Sequence, residues 1–354
     1  MSRPGKRYLL YGSQVYALSI LRPLQEAIRR AGGEAAWFFD GPGAEYLRDD
    51  ESLLNTVEQA QAFDPVAVFV PGNSVPDYLP GIKVEVFHGF SVGKRSDNEG
   101  HFRIRGLFDL YCTQGRTTTQ QFQALAQRHR HFHVEETGWP KVDPLFDGRD
   151  RGANPWIEGW QQERPTLLYT STFTSGMSSA PVLREPIRRL AAEGRWNWLV
   201  TLHPKMPADL VQAYEEMQGP HLRFARTDDV LPLLQAADVM VSDTSSIIHE
   251  FLLLHRPAVT LRNKQPGPHL IDIQDPRELE GAIETALQRP ADLMRQIVEF
   301  AEAIHPYRDG MSSERVLRAT HDFLDVHQPG LRPKPLNLWR KLRLRRRLGY
   351  YHWR

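Results

Sequence analysis

An α/β fold with two doubly wound parallel sheets is predicted by three features of this 354-residue sequence. Short runs rich in β-branched and aromatic residues alternate with helical stretches, as is typical of parallel βαβ units. The alternation stops in a Gly-, Pro- and Trp-rich stretch at 147–164 and then starts again. A length near 350 residues fits two domains of ordinary size. We therefore expect a first domain at 1–150, a second at 151–328 and a C-terminal tail at 329–354.

The first half contains five predicted strands, at 6–11, 34–39, 66–70, 83–87 and 110–113. A helix is expected to open at Ser13, because apolar residues then recur at helical spacing, at Leu18, Leu21, Leu24 and Ile28. Two more helices are expected near 53–63 and 117–127. Open α/β sheets bind ligands beyond the carboxyl ends of their strands. The residues that follow each strand are therefore the candidates for function.

The second half repeats the same pattern. Strands are predicted at 166–170, 196–202, 238–242 and 258–261. Helices are predicted near 181–192, 209–217, 246–254 and 312–326. Two Rossmann-like halves joined by a linker suggest an enzyme with its ligands in a cleft.

Charge and composition limit the class of protein. Residues 332–354 hold nine Lys or Arg and no acid, so the net charge of +1 combines this tail with a body of charge −8. The single cysteine, Cys112, cannot form an internal disulfide and favours a cytoplasmic setting. No apolar run reaches the roughly 18–20 residues of a spanning helix. The apolar segment at 8–21 lacks a cleavage pattern, so we do not interpret it as a signal peptide.

The basic tail is predicted to bind an anionic membrane. In LNLWRKLRLRRR, residues 336–347, an apolar face of Leu338, Trp339 and Leu342 can form on an otherwise cationic helix. Three aromatic residues that follow are typical interfacial anchors, namely Tyr350, Tyr351 and Trp353. Binding to nucleic acid and a disordered solubilising tail are the alternatives, and we expect no nucleic acid as partner.

The segment DVMVSDTSSIIHEFLLLHRPAVTL, residues 238–261, is the most informative one. A buried strand ends in Asp243, Thr244, Ser245 and Ser246, and an apolar helix follows. Small hydroxyl residues at such a turn cap the helix and let backbone N–H groups approach a phosphate. Glu250 lies one turn further on, where its carboxylate could reach a ribose hydroxyl. Ordinary helix capping is the competing interpretation.

Two histidines follow other predicted strands. His88 and Gly89 end VEVFHGF, and His203 lies in TLHPK beside Lys205. An imidazole with a pKa of about 6.5 is suited to accept a proton near neutral pH, which makes His88 a candidate general base. His203 and Lys205 offer donors to a diphosphate. Each histidine could instead serve only a hydrogen bond within its loop.

Metal binding is not expected. His129, His131 and His133 alternate in RHRHFH, but metal sites usually add a carboxylate or a cysteine. The chain also lacks a P-loop, a GxGxxG fingerprint, a nucleophile elbow and an HExxH motif.

Six ordered segments carry a resemblance to a known family. They are VFHGF (86–90), TGWPKVDPLF (137–146), LLYTSTF (167–173), TLHPK (201–205), DVMVSDTSSIIHEFLLLHRPAV (238–259) and RDGMSSERV (308–316). Together they resemble the CDP-glycerol glycerophosphotransferase family, which includes teichoic acid primases and polymerases. The resemblance implies a GT-B architecture of two Rossmann-like domains facing a cleft, with the donor nucleotide on the C-terminal domain.

The resemblance also implies roles for individual residues. His88 matches the proposed general base and His203 the histidine that contacts the donor phosphates. The implied donor or phosphate group comprises Lys205, Asp243, Thr244, Ser245, Ser246, Glu250, Ser313 and Arg315. The implied acceptor side comprises Gly89, Lys94, Lys141 and Asp143. Imidazolium and helix-end charge would stabilise the diphosphate, so neither a metal nor a cofactor is expected besides the activated donor.

The implied reaction moves glycerol phosphate from CDP-glycerol to a hydroxyl of a lipid-linked or polymeric saccharide and releases CMP. It would take place in envelope polymer synthesis, on the inner face of the membrane. Three departures leave the donor open: no arginine follows Phe173, the usual threonine and lysine positions after His88-Gly89 are altered although Lys94 and Arg95 follow nearby, and Lys141 stands where an arginine is usual. A GT-B glycosyltransferase that uses a CMP- or UDP-sugar in capsule or lipopolysaccharide synthesis, and a scaffold without activity, are the alternatives.

Overall fold

A computed structural model of the chain describes residues 5–90, 102–148, 154–161, 163–227 and 229–351. The chain divides into two compact units. The first unit comprises Met1–Pro144 together with Ile304–Arg354, and the second comprises Leu145–Ala303. The C-terminal residues therefore return to the first unit, which differs from the expected bounds of a second domain at 151–328 and a separate tail.

The first unit is built on six strands, β1 Arg7–Gly12, β2 Glu34–Phe39, β3 Ala67–Val70, β4 Ile82–Glu85, β5 Leu110–Thr113 and β6 His133–Glu136. They form one parallel sheet in the order β2-β1-β3-β4-β5-β6. Its first helices are α1 Tyr16–Arg30, α2 Val57–Ala62 and α3 Arg116–His129. The strand order reverses between β1 and β3, and this switch point is where open sheets of this kind bind ligands.

The second unit has an equivalent sheet of six strands, β7 Thr166–Ser171, β8 Asn197–Leu202, β9 Leu222–Phe224, β10 Val239–Ser242, β11 Ala258–Leu261 and β12 Ile271–Ile273. All pairs are parallel, in the order β12-β11-β10-β7-β8-β9. Its helices are α4 Ala180–Glu193, α5 Ala208–Glu215, α6 Leu231–Ala236, α7 Ile247–Leu252, α8 Leu279–Gln288 and α9 Ala291–Ile304. The predicted α/β class is confirmed.

The predicted elements differ from the observed ones where local backbone geometry intervenes. The strand expected at 83–87 ends at Glu85, because Phe87 adopts a left-handed conformation with φ of 62°. The sequence did not predict the strands β6, β9 and β12, because each is short and β6 has the polar sequence HVEE. Edge strands of this kind take their conformation from the neighbour they pair with.

The C-terminal segment completes the first unit. Helix α10 (Ser312–Asp322) packs on α1, and the Tyr8 hydroxyl lies 2.6 Å from Nε2 of His321. Helix α11 (Leu338–Arg347) buries Leu344 in the hydrophobic core of the first unit, and Tyr350 joins the same core. No helix among the described residues combines the length and apolar character that crossing a bilayer requires.

Ion pairs reinforce this docking. Arg345 lies 3.0 Å from Asp77, and Lys334 lies 2.7 Å from Asp109. Acidic side chains of the first unit thus hold part of the basic tail against it. Residues 329–351 are part of a folded domain, whereas the sequence suggested a separate appendage.

Candidate active site

His88 lies at the carboxyl edge of the first sheet, three residues beyond β4. Its Nδ1 is 2.9 Å from the carbonyl oxygen of Pro71, which follows β3. A carbonyl oxygen can only accept a hydrogen bond, so in the neutral ring the proton resides on Nδ1. Nε2 is then the basic nitrogen. This arrangement suits a general base.

Tyr16 covers one face of this histidine. The two rings stack with centroids 5.4 Å apart, and Tyr16 remains 40% exposed. Burial raises the pKa of the Tyr16 hydroxyl, while its hydrogen bond with Ser13 has a smaller opposite effect. Ser13 follows β1 and Pro71 follows β3, so the ring pair lies at the switch point of the sheet. Tyr16 was not among the predicted site residues, although its place just after β1 was a usable signal.

A hydrogen bond from a buried tryptophan stabilises the backbone next to His88. Phe87 is left-handed, a conformation that costs a residue with a side chain about 1–2 kcal/mol. The indole Nε1 of Trp139 donates to the Phe87 carbonyl at 3.2 Å. Trp139 is fully buried, and its backbone N–H donates to Nε2 of His305 at 3.0 Å. The Gly-Trp-Pro segment therefore supports the loop that carries His88.

The predicted acceptor-side residues have different surroundings. A Cβ on Gly89 would meet no atom of the described residues within 4 Å. The Gly89 carbonyl accepts a hydrogen bond from Gln114 at 3.2 Å. The Lys141 ammonium lies 5.2 Å from the centre of the Trp139 ring. Lys94 falls outside the described residues.

Asp143 has a structural position. It is buried and accepts hydrogen bonds from the backbone of Ser312 and from the backbone and hydroxyl of Ser313, all at 2.7–2.8 Å. Its carboxylate thereby anchors the first turn of α10, which is a capping role. These contacts account for the carboxylate, and the expectation that Asp143 faces the acceptor stays a prediction.

Ser313 and Arg315 are not where the sequence placed them. Both lie in the first unit, whereas we expected them on the donor domain. Ser313 is bound to Asp143, and Arg315 forms an ion pair with Asp309 while its guanidinium lies 4.0 Å from the centre of the Tyr307 ring. These contacts account for both side chains within the fold of the first unit.

In the second unit, His203 lies beyond β8. Its Nδ1 accepts a hydrogen bond from the backbone N–H of Lys205 at 3.0 Å. The ring proton of neutral His203 is therefore on Nε2, which becomes a donor. Burial, and then the Lys205 charge, lower the pKa of His203, which favours the neutral ring with its Nε2 donor over the expected imidazolium.

Phe173 completes this group. Its ring is 40% exposed and lies 4.4 Å from the His203 ring, centre to centre. The Lys205 ammonium is 5.5 Å from the centre of the same ring. Because β7 and β8 are neighbours, their carboxyl ends bring an aromatic ring, a donor and a cation together. Sequence reasoning missed Phe173, noting only that no arginine followed it.

Asp243, in the turn after β10, is fully buried. It accepts hydrogen bonds from the hydroxyl of Ser171 at 2.6 Å, from the backbone of Thr172 at 3.0 Å, and from both the backbone and hydroxyl of Ser179 at 2.8 and 2.9 Å. This carboxylate ties the end of β10 to the loop between β7 and α4. These contacts hold the turn, and the expected part of Asp243 in donor binding stays a prediction.

The rest of the turn is divided between the interior and the surface. Thr244 accepts a hydrogen bond from the backbone of Lys264 at 3.0 Å, and Glu250 is only 5% exposed, on the buried side of α7. Ser245 is half-buried and Ser246 is exposed. The Ser246 side chain makes no capping hydrogen bond with α7, which is only six residues long. The two serines are the surface groups of this turn.

The three alternating histidines do not converge, although the ring centres of His129 and His131 lie 5.6 Å apart. His129 ends α3, whereas His133 begins β6 and stacks on His327 with ring centres 4.1 Å apart. Within the described ranges, no three His, Cys, Asp or Glu side chains are grouped as a metal site requires.

Comparison with known proteins identifies a family for this chain. The sequence model of the UDP-N-acetylglucosamine 2-epimerase family matches residues 110–321, which is more than half of the chain. The chain belongs to this family. A second match is the teichoic acid ribitol-phosphate polymerase TarL of Staphylococcus aureus (strain NCTC 8325 / PS 47), 24% identical over 221 residues. That match covers 56% of this chain and only 38% of TarL.

Solved structures show the same fold. The wall teichoic acid polymerase TagF superposes with a TM-score of 0.66 at 14% identity, over 92% of this chain and 90% of that one. A UDP-N-acetylglucosamine 2-epimerase from Listeria monocytogenes, described as putative, gives a TM-score of 0.68 at 14% identity, over 93% and 99%. The predicted resemblance to teichoic acid polymerases and the GT-B-like fold are thereby confirmed.

Proposed function

We propose that this chain is a transferase that moves a polyol phosphate, with glycerol phosphate as first choice, from a CDP-linked donor to a saccharide hydroxyl. The acceptor is lipid-linked or polymeric, and the product belongs to the cell envelope. The observation that carries the proposal is the pair of histidines with opposite tautomers, one basic at Nε2 and one a donor at Nε2. The match to TarL, whose name specifies ribitol phosphate, supports a polyol phosphate over a sugar.

The reaction requires one proton acceptor and several phosphate ligands. His88 Nε2 takes the proton from the acceptor hydroxyl while that oxygen bonds to the β-phosphorus of the donor. The bond from the β-phosphorus to the bridging oxygen breaks, and CMP leaves with the electron pair. His203 Nε2–H and Lys205 donate to phosphate oxygens as their negative charge increases. Catalysis then rests on positioning and electrostatics, as in phosphoryl transfer generally.

Substitution of His88 tests the assignment of the base. His88→Ala should lower kcat about 10²- to 10⁴-fold, the range for a lost general base, and leave donor affinity unchanged. His203→Ala should weaken donor binding as well as turnover. Transfer at the wild-type rate by His88→Ala, measured with the same acceptor, would remove His88 from the mechanism.

A donor panel tests the reaction class. CDP-glycerol, CDP-ribitol, a CMP-sugar and UDP-N-acetylglucosamine should be compared by thermal shift, since a ligand stabilises the state it binds. Stabilisation by the two CDP-polyols alone supports the proposal. Stabilisation by UDP-N-acetylglucosamine alone favours the second candidate, an enzyme acting on a UDP-sugar, which the family match supports.

We further propose that the protein binds the inner face of an anionic membrane through the outer side of α11. Trp339 is 87% exposed and Leu342 is 40% exposed, and Arg343 and Arg346 share their side of the helix. Apolar and cationic groups on one face are typical of interfacial helices.

The test must leave the inner side of α11 intact, because Leu344 and Tyr350 belong to the core. Trp339→Ser with Leu342→Ser should abolish flotation with anionic liposomes without changing the unfolding temperature. Val182→Ser, at a residue 45% exposed in the second unit, is the matched control. Equal recovery of the double variant and the control would contradict membrane binding through α11.

A further inference from the structure

Tyr16 presents an exposed aromatic ring beside the proposed base. It is the first residue of α1, and 40% of it is exposed. Its ring stacks on the His88 imidazole with centroids 5.4 Å apart and an angle of 28° between the ring planes. Stacked rings touch at about 3.5–4 Å, so a centroid distance of 5.4 Å means that the two rings are offset. Part of the Tyr16 face that meets His88 is therefore not covered by the imidazole.

Two hydroxyl groups lie at the edge of this ring. The position that a Cβ would take on Gly72 is 3.5 Å from the Tyr16 hydroxyl oxygen and 3.8 Å from the Ser13 hydroxyl oxygen. Gly72 follows Pro71, whose carbonyl oxygen is 2.9 Å from Nδ1 of His88. The loops after β1, β3 and β4 therefore bring an aromatic ring, two hydroxyls and the basic nitrogen of His88 to one place in the first unit.

The exposed ring of the second unit has a different neighbour. Phe173 is also 40% exposed and lies beside His203, and the Lys205 ammonium is 5.5 Å from the centre of its ring. A cation beside a ring suits a charged ligand such as a nucleotide phosphate. Hydroxyls beside a ring suit a ligand that carries hydroxyls of its own, because each hydroxyl both donates and accepts hydrogen bonds.

A pyranose ring combines the two properties that these groups favour. Its C–H groups form a flat apolar surface that packs on an aromatic face, and its hydroxyls can pair with those of Ser13 and Tyr16. An acyclic polyol has hydroxyls but no ring, and it must lose more rotational freedom to lie flat on Tyr16. A sugar ring on the uncovered part of Tyr16 lies beside the edge of His88, where one of its hydroxyls can reach Nε2.

We infer that Tyr16 binds the pyranose ring of the acceptor, and that the accepting hydroxyl belongs to a sugar ring and not to an acyclic polyol. The inference rests on the proposed function only in identifying the bound ring as the acceptor. Transfer leaves an acyclic polyol phosphate at the end of the product, and this end has no ring to stack on Tyr16. The enzyme therefore adds one unit to each saccharide end and does not extend a polyol phosphate chain.

Saturation-transfer NMR with the full chain tests ring binding without donor or turnover. The probes are methyl β-D-glucopyranoside, which has a flat ring, glucitol, which is an acyclic counterpart, and cytidine, which carries an aromatic base. Tyr16→Leu removes the aromatic face but keeps an apolar side chain, and Tyr16→Phe keeps the face. Tyr46→Leu is the matched control, because Tyr46 is 51% exposed in the same unit, in the short helix at Ala44–Tyr46.

The wild type should bind the glucopyranoside about tenfold more tightly than glucitol, the gain expected from one ring stacked on an aromatic side chain. Tyr16→Leu should lose this preference, while Tyr16→Phe and Tyr46→Leu should keep it. In the transfer assay, Tyr16→Leu should raise KM for a saccharide acceptor about tenfold. If Tyr16 only supported His88, kcat would fall while the affinity for the glucopyranoside stayed unchanged.

Two results would overturn the inference. One is a wild type without preference for the glucopyranoside over glucitol, or a preference that persists in Tyr16→Leu. The other is a loss of cytidine binding alone in Tyr16→Leu, which would indicate that the ring binds the donor base. Binding of the glucopyranoside requires neither donor nor transfer. An enzyme that keeps the tenfold preference but transfers no polyol phosphate would therefore contradict the proposed reaction and leave the ring site intact.

Discussion

The two units each present one histidine just beyond a parallel strand, but they give it opposite chemistry. In the first unit a backbone carbonyl, that of Pro71, faces Nδ1 of His88. In the second a backbone N–H, that of Lys205, faces Nδ1 of His203. Nε2 is consequently an acceptor in one unit and a donor in the other. The role of each histidine depends on the backbone group beside it.

Each unit also contains a buried aspartate that accepts several hydrogen bonds within the fold. Asp143 and Asp243 both looked like ligand-binding residues, yet each is buried beneath serine and backbone donors. The candidate functional groups at the surface are the two histidines and the side chains next to them. His88 is enclosed by Tyr16 and a supported loop, whereas His203 is exposed beside Phe173 and Lys205.

The largest effect that we predict compares the two buried acids. Asp243→Ala removes the acceptor of four hydrogen bonds and should cost about 4 kcal/mol, whereas Asp143→Ala removes the acceptor of three and should cost about 3 kcal/mol, at about 1 kcal/mol for each lost hydrogen bond. Hydrogen exchange followed by mass spectrometry should locate each loss in its own unit. A loss of protection spread equally over both units would show that the acids do not stabilise the units separately.

The second prediction concerns pH and His305. Burial lowers the pKa of His305 to about 4, and its Nε2 accepts from the Trp139 backbone, so the folded state keeps the ring neutral. The unfolded chain binds a proton below about pH 6.5. The first unit should therefore lose about 2 kcal/mol of stability from pH 7 to pH 5, and about 3 kcal/mol by pH 4.

Denaturation at several pH values, with exchange protection read unit by unit, measures this loss. His305→Gln should reduce the pH dependence of the first unit and leave the smaller part due to His131 and His321, whose pKa burial also lowers. The second unit is the internal comparison and should lose less stability, because burial lowers the pKa of its His203 and His269 by less. A first unit with constant stability between pH 7 and pH 4 would contradict the assignment.

The third prediction tests the support of the His88 loop. Trp139→Phe keeps a ring against Phe90 but removes the N–H that binds the Phe87 carbonyl. Loss of this hydrogen bond should lower kcat about tenfold with little change in KM, because one bond is worth about 1 kcal/mol and misplacement of the base adds to it.

Trp198 provides the matched control for this substitution. It is equally buried, in the second unit, but its indole N–H has no hydrogen-bond partner among the described residues. Trp198→Phe should therefore leave kcat unchanged. Equal kcat values for the two variants would show that the Trp139 N–H does not position the base.

The smallest predicted effect lies at His203. The Lys205 charge lowers the pKa of His203, so Lys205→Gln should raise that pKa toward its ordinary value, while the depression due to burial persists. Donor affinity should fall about fivefold, as expected for one exposed cation near a phosphate. Titration of the imidazole by NMR measures the shift, and an unchanged pKa would exclude coupling between the two side chains.

Much of the fold was predictable from sequence, because buried parallel strands are continuous apolar runs and helices repeat every 3.6 residues. Short edge strands such as β6 were not, since pairing with a neighbour determines them. Of the candidate residues, His88 and His203 lie at the expected strand ends. Asp143, Asp243 and Ser313 belong to the interior, which a motif cannot distinguish from a binding site, because the same hydroxyls and carboxylates serve both.

The sequence by itself determined the two α/β halves, the places after the strands where the candidate residues lie, and the opposite charges of body and tail. Only the tertiary structure decided that the tail packs on the first unit and that four of its eight described cations are paired. The histidine tautomers likewise depend on tertiary contacts, since Pro71 and His88 belong to loops 17 residues apart in the chain. Local sequence sets backbone preference, but hydrogen-bond partners and burial arise only when distant segments meet.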